Sequence, residues 1–191
     1  MYLLFDTETT GLPKNWNAPV HDLNNWPRLV QLAWLLYDRN ENLLEEQNII
    51  IKPQYFTIPA SATKIHGIST DFALSNGADL HSALTTFSNS IDSVQIIIAH
   101  NISFDEKIVG AEFIRTDIPH KLFDKRHVCT MKSSTEFCKI PGPYGLKYPT
   151  LSELHFSLFQ THFEESHNAL YDVKACARSF FKLKELGIIR L

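Results

Sequence analysis

The first eight residues constrain the fold most strongly, because they form an apolar strand that ends in two acids. Leu3, Leu4 and Phe5 make this strand apolar on both faces, which is typical of a central strand in a sheet. Asp6 and Glu8 share one face, since side chains alternate along a strand, and their Cα atoms lie about 7 Å apart. The two acids are either solvated groups at a turn or ligands that share one volume at the carboxyl end of the strand.

The apolar patterns farther along the chain predict strands first and a strand–helix alternation afterwards. Strand-like segments are 28–38, 43–52 and 94–99. Helical spacing, or a capping-box pair such as Ser103 with Glu106, predicts helices at 60–76 (broken at Gly67), 78–92, 103–115, 150–160 and 168–186. A short strand followed by a helix is expected within 127–138, and loops at 13–27 and 140–149. This order predicts one domain over residues 1–191, built as a mixed α/β sheet with helices on both faces.

The bulk composition narrows the class of protein. Hydrophobic residues are 44% of the chain and charged residues 20%, an ordinary globular balance. The sequence lacks both a signal-peptide pattern and an apolar stretch near the roughly 20 residues of a membrane helix. Three widely spaced cysteines are typical of free thiols, so a cytoplasmic protein without membrane contact is predicted. The net charge of −3 lacks the basic excess of a nucleic-acid-binding domain, so a polyanionic substrate would need local contacts or bound cations.

Two further acids and a histidine lie near predicted helix starts. Asp105 falls in the first turn of its helix and is either an ordinary helix-start acid or a ligand. Asp172 borders a buried helix stripe, where an acid needs a partner, which is either a basic side chain or a metal. His167 lies five positions before Asp172 and would face another side of the same helix. It is therefore either a surface residue or part of a loop before the helix, with Ser166 or Asn168 near the cap.

Convergence of these acids would require compensation of their charge. Two carboxylates about 4 Å apart repel by about 4 kcal/mol even at an effective dielectric constant near 20. Such a cluster needs either cations between the acids or raised pKa values. Oxygen ligands favour Mg²⁺ or Mn²⁺, whereas zinc prefers cysteine and histidine side chains, which are not clustered in this sequence. The acids together therefore indicate a divalent-metal site.

Four segments together make the chain resemble a known family. They are FDTETTG at 5–11, IHGI at 65–68, HNISFD at 100–105 and HNALYD at 167–172. In this order and spacing they are similar to the motifs of the DEDDh 3′–5′ exonucleases, which include the proofreading epsilon subunit of bacterial DNA polymerase III. The resemblance implies an RNase H-like fold, with a five-stranded mixed sheet whose first three strands are antiparallel, flanked by helices.

The resemblance also implies roles for individual residues. Asp6, Glu8, Asp105 and Asp172 would hold two divalent cations, Mg²⁺ or Mn²⁺, and His167 would be the general base of phosphodiester hydrolysis. The expected substrate-binding residues are Thr10 and Gly11 (amides to the 3′ hydroxyl), Leu12 (a wedge beneath the base), His66 and Phe104 (stacking on the base of the terminal nucleotide) and Asn101.

Several alternatives remain open at the level of sequence. The substrate is the 3′ end of single-stranded or frayed DNA or, alternatively, of RNA, and a catalytically silent nucleic-acid-binding domain is a third possibility. The chain stops at Leu191 without a recognisable polymerase-binding tail, so a polymerase partner is possible but has no sequence signal. Trp16 and Trp26 either anchor the 13–27 loop or contact a partner.

Overall fold

This computed structural model describes residues 1–161 and 167–191, and its centre is a five-stranded sheet. The strands are β1 (Tyr2–Thr9), β2 (Leu29–Tyr37), β3 (Leu43–Ile50), β4 (Ile96–Ala99) and β5 (Arg126–Cys129). Their order across the sheet is β3-β2-β1-β4-β5. Strand β2 pairs antiparallel with both β1 and β3, whereas β4 pairs parallel with β1 and β5. The predicted mixed sheet with three antiparallel strands first, and with β1 at its centre, is confirmed.

Helices fill the connections as the apolar spacing predicts. They are α1 (Ala60–His66), α2 (Thr70–Asn76), α3 (Leu80–Asp92), α4 (Ile102–Thr116), α5 (Thr130–Ser133), α6 (Thr135–Cys138), α7 (Leu151–Phe159) and α8 (Ala169–Glu185). Gly67 ends α1 in a left-handed conformation with φ of 77°, which confirms the predicted break. The predicted loop at 140–149 contains a small hairpin, β6 (Pro141–Gly142) with β7 (Gly145–Leu146). The helices of the described residues include none that is both long and apolar enough to span a membrane.

One predicted capping box does not form, and a second capping box was not predicted. Helix α4 begins directly after Asn101, which is the N-cap in a left-handed conformation, so the predicted capping box of Ser103 and Glu106 does not form. Ser103 already lies inside the helix, and its hydroxyl donates to Asn101 Oδ1 at 3.2 Å. A complete capping box instead begins α7, where Thr150 and Glu153 each bond the backbone amide of the other.

Alternation along β1 divides the core into two layers. Phe5 belongs to the cluster beneath α3 and α4, whereas Leu4 belongs to the cluster against α8. Continuing this alternation, Thr7 faces α4, and Asp6 and Glu8 face α8. The strand therefore presents its two acids on the face where α8 packs.

Candidate active site

Three carboxylates meet at the carboxyl end of β1. Asp6 and Glu8 are opposite Ala33 and Gln31 of the neighbouring strand β2, and Asp172 lies in the first turn of α8. One carboxylate oxygen of each acid lies within 4.8 Å of the other two. Strand pairing fixes the backbone of the first two acids, and helix packing fixes the third. Oxygen donors at this spacing can hold a divalent cation.

Asp105 approaches this group from the other layer of the molecule. It lies in the first turn of α4, is 3% exposed, and accepts a hydrogen bond from the Thr7 hydroxyl at 2.7 Å. Because Thr7 faces α4, this bond holds Asp105 on the α4 side of β1, and Asp105 is not part of the close group of three. Its charge nevertheless raises the pKa of Asp6 and of Glu8. The four acids therefore form one electrostatic group.

Burial raises the pKa of all four acids, and repulsion by the other acids of the group further raises the pKa of Asp6 and of Glu8. Burial is the largest cause for each acid, and it brings the pKa of Glu8 to about 8 and that of Asp105 to about 7. The pKa of Asp6 lies well above its ordinary range, and that of Asp172 is raised although the His167 amide opposes the shift. Within residues 1–161 and 167–191, no lysine or arginine forms an ion pair with any of the four. A divalent cation fits as the missing positive charge.

His167 lies in the loop just before α8. This is the position expected from the sequence if His167 acts together with Asp172. Asn168 is the N-cap of α8, and Ser166 lies outside the described residues. The His167 amide donates to Asp172 Oδ2 at 2.9 Å, and its backbone has φ of 71°. The exposed His167 side chain lines a cavity of about 300 Å³ together with Asp6 and Asp172. The histidine and two acids thus border one space.

The same cavity contains residues that were not predicted as site residues: His100, Thr150, Leu151 and Ser152. His100 Nδ1 lies 3.0 Å from Thr130 Oγ1, and Nε2 lies 3.0 Å from the Pro149 carbonyl oxygen. Burial lowers the pKa of His100 to about 4, so the ring is neutral near pH 7. Because a carbonyl only accepts, Nε2 holds the proton and Nδ1 accepts from Thr130. His100 opens the HNISFD segment, which was the sequence signal that could have identified it.

The predicted substrate-binding residues near the end of β1 differ in whether their binding groups are free to contact a substrate. Leu12 is 72% exposed and is free to contact a base. The Thr10 amide donates to the Arg28 carbonyl at 3.0 Å, and the Gly11 amide donates to Thr9 Oγ1 at 3.4 Å. Binding of a 3′ hydroxyl by these amides would therefore require exchange of existing hydrogen bonds.

The remaining predicted substrate residues lie on α1 and at the start of α4. His66 is only 7% exposed, which leaves little of its ring face for stacking. Its Nδ1 accepts from the Ile68 amide, and its buried Nε2 has no hydrogen-bond partner among the described residues. Phe104 is partly buried and packs against the ring of Trp16 at 5.6 Å between centroids. Asn101 forms the left-handed entry into α4.

Comparison with known proteins places this arrangement in a family. A family model described as Exonuclease matches residues 3–180. The PolC-type DNA polymerase III of Lactococcus lactis subsp. lactis (strain IL1403) is 28% identical over 184 residues, which cover 96% of this chain and 10% of that protein. That of Mycoplasmopsis pulmonis (strain UAB CTIP) is 31% identical over 117 residues, 61% of this chain and 7% of that protein. The chain thus spans about a tenth or less of the length of these relatives.

Solved structures of Exonuclease I share the fold. Exonuclease I of E. coli in complex with a dA16 oligonucleotide has a TM-score of 0.72 and 20% identity over 96% of this chain and 40% of that chain. Exonuclease I from Methylocaldum szegediense has a TM-score of 0.73 and 20% identity, with the same coverage. These likenesses confirm the predicted exonuclease fold, and the family model, which matches most of the chain, confirms the predicted resemblance. The chain belongs to the Exonuclease family.

Proposed function

We propose that this protein is a metal-dependent 3′–5′ exonuclease that releases nucleoside monophosphates from single-stranded or frayed DNA. The observation that supports this most directly is the group of three carboxylates at the end of β1, with Asp105 behind it and His167 beside it. DNA as the substrate is supported by the relatives, which are DNA polymerases by name, and by the Exonuclease I structure with dA16.

The donor set suits two Mg²⁺ or Mn²⁺ ions. Such a pair, when bound, lowers the pKa of a water molecule and stabilises the charge on the leaving 3′ oxygen. Asp6, Glu8 and Asp172 would supply the close oxygens, and Asp105 would add a fourth carboxylate from the α4 side. Their raised pKa values in the protein alone mean that binding of a cation displaces protons from these groups.

His167 would act as the general base that accepts the proton of the attacking water. Its side chain is exposed and borders the cavity shared with Asp6 and Asp172. The bond from its backbone amide to Asp172 Oδ2 couples its position to that of a metal ligand. An imidazole suits proton transfer near neutral pH.

The test is digestion of matched DNA and RNA oligomers, labelled at the 5′ or the 3′ end, with Mg²⁺, Mn²⁺ or a chelator. We expect immediate release of a labelled mononucleotide from 3′-labelled DNA, a descending ladder from 5′-labelled DNA, slower attack on RNA, and no reaction with chelator. Asp6→Ala is the control for a contaminating nuclease. Activity in chelator would contradict the metal role, release from the 5′ end would contradict the polarity, and faster hydrolysis of RNA would contradict the choice of DNA. Absence of hydrolysis with metal bound would indicate a silent domain.

A further inference from the structure

The long loop at residues 13–27 is fixed along α4. Lys107 Nζ donates to the Trp16 carbonyl at 3.2 Å, and Arg115 Nη2 donates to two other carbonyls of the loop at 2.5 and 2.8 Å. Between these anchors, a Cβ at Gly110 would lie 2.9 Å from Val20 Cγ2, so glycine permits the close approach of loop and helix. The loop is therefore an ordered part of the molecule.

The two tryptophans of this loop have different surroundings. Trp26 is 3% exposed, and its Nε1 donates to a carbonyl within the loop at 2.9 Å, so it anchors the loop. Trp16 is 50% exposed and packs on Phe104 with 42° between the ring planes. Next to Trp16, the backbone of Asn15 and the side chain of Asn25 exchange two hydrogen bonds of 2.7 and 3.0 Å. The loop thus holds a large aromatic ring in a fixed, half-exposed position.

Trp16 is connected to the group of acids through Phe104. Phe104 precedes Asp105 in the chain, and Trp16 contacts Phe104, so the indole adds a second ring to the aromatic surface that begins next to Asp105 in the chain. Unpaired bases stack on such faces without regard to sequence. We propose that Trp16, together with Phe104, forms the stacking surface for the base of the nucleotide that precedes the 3′-terminal one. This proposal rests on the proposed exonuclease function and assigns the 13–27 loop to substrate binding.

The first test combines a protein variant with a substrate variant. Trp16→Ala should lower kcat/KM for a single-stranded DNA oligomer by about tenfold, in line with typical base–aromatic stacking. For the p-nitrophenyl ester of thymidine 5′-monophosphate, which has no preceding base, the change should stay within about twofold. An oligomer with an abasic residue at the second position should be cleaved by the wild type as slowly as Trp16→Ala cleaves normal DNA. Trp16→Phe should restore most of the rate, and Phe72→Ala, at another exposed aromatic residue, should have no effect.

Equal losses on the oligomer and on the ester would overturn the proposal, because they indicate that Trp16 only supports the fold. An unchanged rate on the oligomer, or additive effects of Trp16→Ala and the abasic residue, would overturn it as well.

Binding of the oligomer provides a readout that is independent of turnover. Trp26 and Trp34 are buried, so we expect the oligomer to quench the tryptophan fluorescence of the Asp6→Asn variant mainly through Trp16. This quenching should disappear when Trp16→Phe is added to Asp6→Asn. Quenching with no hydrolysis by the wild type would refute the proposed function and retain the stacking surface. Quenching that persists in the double variant would refute the stacking surface itself.

Discussion

Helix α4 buries two carboxylates about two turns apart, and their surroundings are opposite. Glu112 is fully buried, lies 2.8 Å from Arg28 and 3.1 Å from Arg115, and accepts a backbone amide at 3.0 Å. Asp105 is almost as buried, but it accepts from the Thr7 hydroxyl and lies in a group of further acids. A buried acid with built-in arginine partners stabilises the fold. A buried acid without them either takes up a proton or requires a cation from solution.

The largest expected effect is on hydrolysis when an acid of the β1 group is removed. Asp105→Asn, Asp6→Ala and Asp172→Ala should each lower the rate at least about a thousandfold, because the metal loses a charged ligand. The fold should persist, since loss of one charge relieves repulsion in the protein without metal. Rates on labelled DNA and thermal melting monitored by circular dichroism measure both effects. Wild-type activity in any of the three variants would remove that residue from the ligand set.

Substitution of His167 tests whether the acids are sufficient for hydrolysis without a general base. His167→Ala should slow turnover by about a hundredfold to ten-thousandfold, because the water loses its proton acceptor. Titration calorimetry with Mn²⁺ should still detect metal binding, since His167 donates only its backbone amide to Asp172. An unchanged rate at neutral pH would remove the histidine from the role of base.

Substitution of Glu112 should mainly lower stability, whereas substitution of Asp105 should mainly lower activity. Glu112→Gln should destabilise the protein by about 3 kcal/mol, because it leaves two partly buried guanidinium groups without their countercharge. Activity per folded molecule should change by less than about threefold. Urea unfolding and the rate on labelled DNA check the two parts. A stability loss as small for Glu112→Gln as for Asp105→Asn would remove the distinction between the two acids.

The remaining expected effect is on the stability of the fold, which should depend on pH and on bound metal together. Folding raises the pKa of Glu8 to about 8 and of Asp105 to about 7, so between about pH 4 and pH 8 the folded state binds more protons than the unfolded state. Stability without metal should therefore fall as pH rises through this window. Mg²⁺ should raise the melting temperature more at pH 8.5 than at pH 6, and Glu8→Gln should reduce that difference. A larger shift at pH 6 would contradict these pKa directions.

Local sequence patterns were sufficient to predict most of the strands and helices. The apolar run before Asp6 predicted the central strand, and regular apolar spacing predicted α3, both of which depend on neighbours in the chain. The number of strands and the antiparallel arrangement of the first three were expected from the resemblance alone. The pairing of β1 with β4 was not predicted, because it depends on contacts far apart in sequence. The capping box at Ser103 failed because Asn101 adopts the left-handed conformation and begins the helix earlier.

The sequence predicted the individual residues of the candidate site, but it did not predict most of their contacts. The side of the sheet from which Asp105 approaches depends on its bond to Thr7, and the position of His100 depends on the distant Pro149 carbonyl. The role of Trp16 likewise depends on a ring that lies far along the chain. Such contacts become visible only after folding, because no local periodicity encodes them.

The late position of α8 has a consequence for synthesis of the protein. A ribosome makes β1, with Asp6 and Glu8, long before it makes the helix that contains Asp172 and packs on β1 and β2. The nascent chain therefore lacks one of its three closest carboxylates until that helix has emerged and docked. Under the proposed function, catalytic competence would therefore arise only after α8 has docked on the sheet.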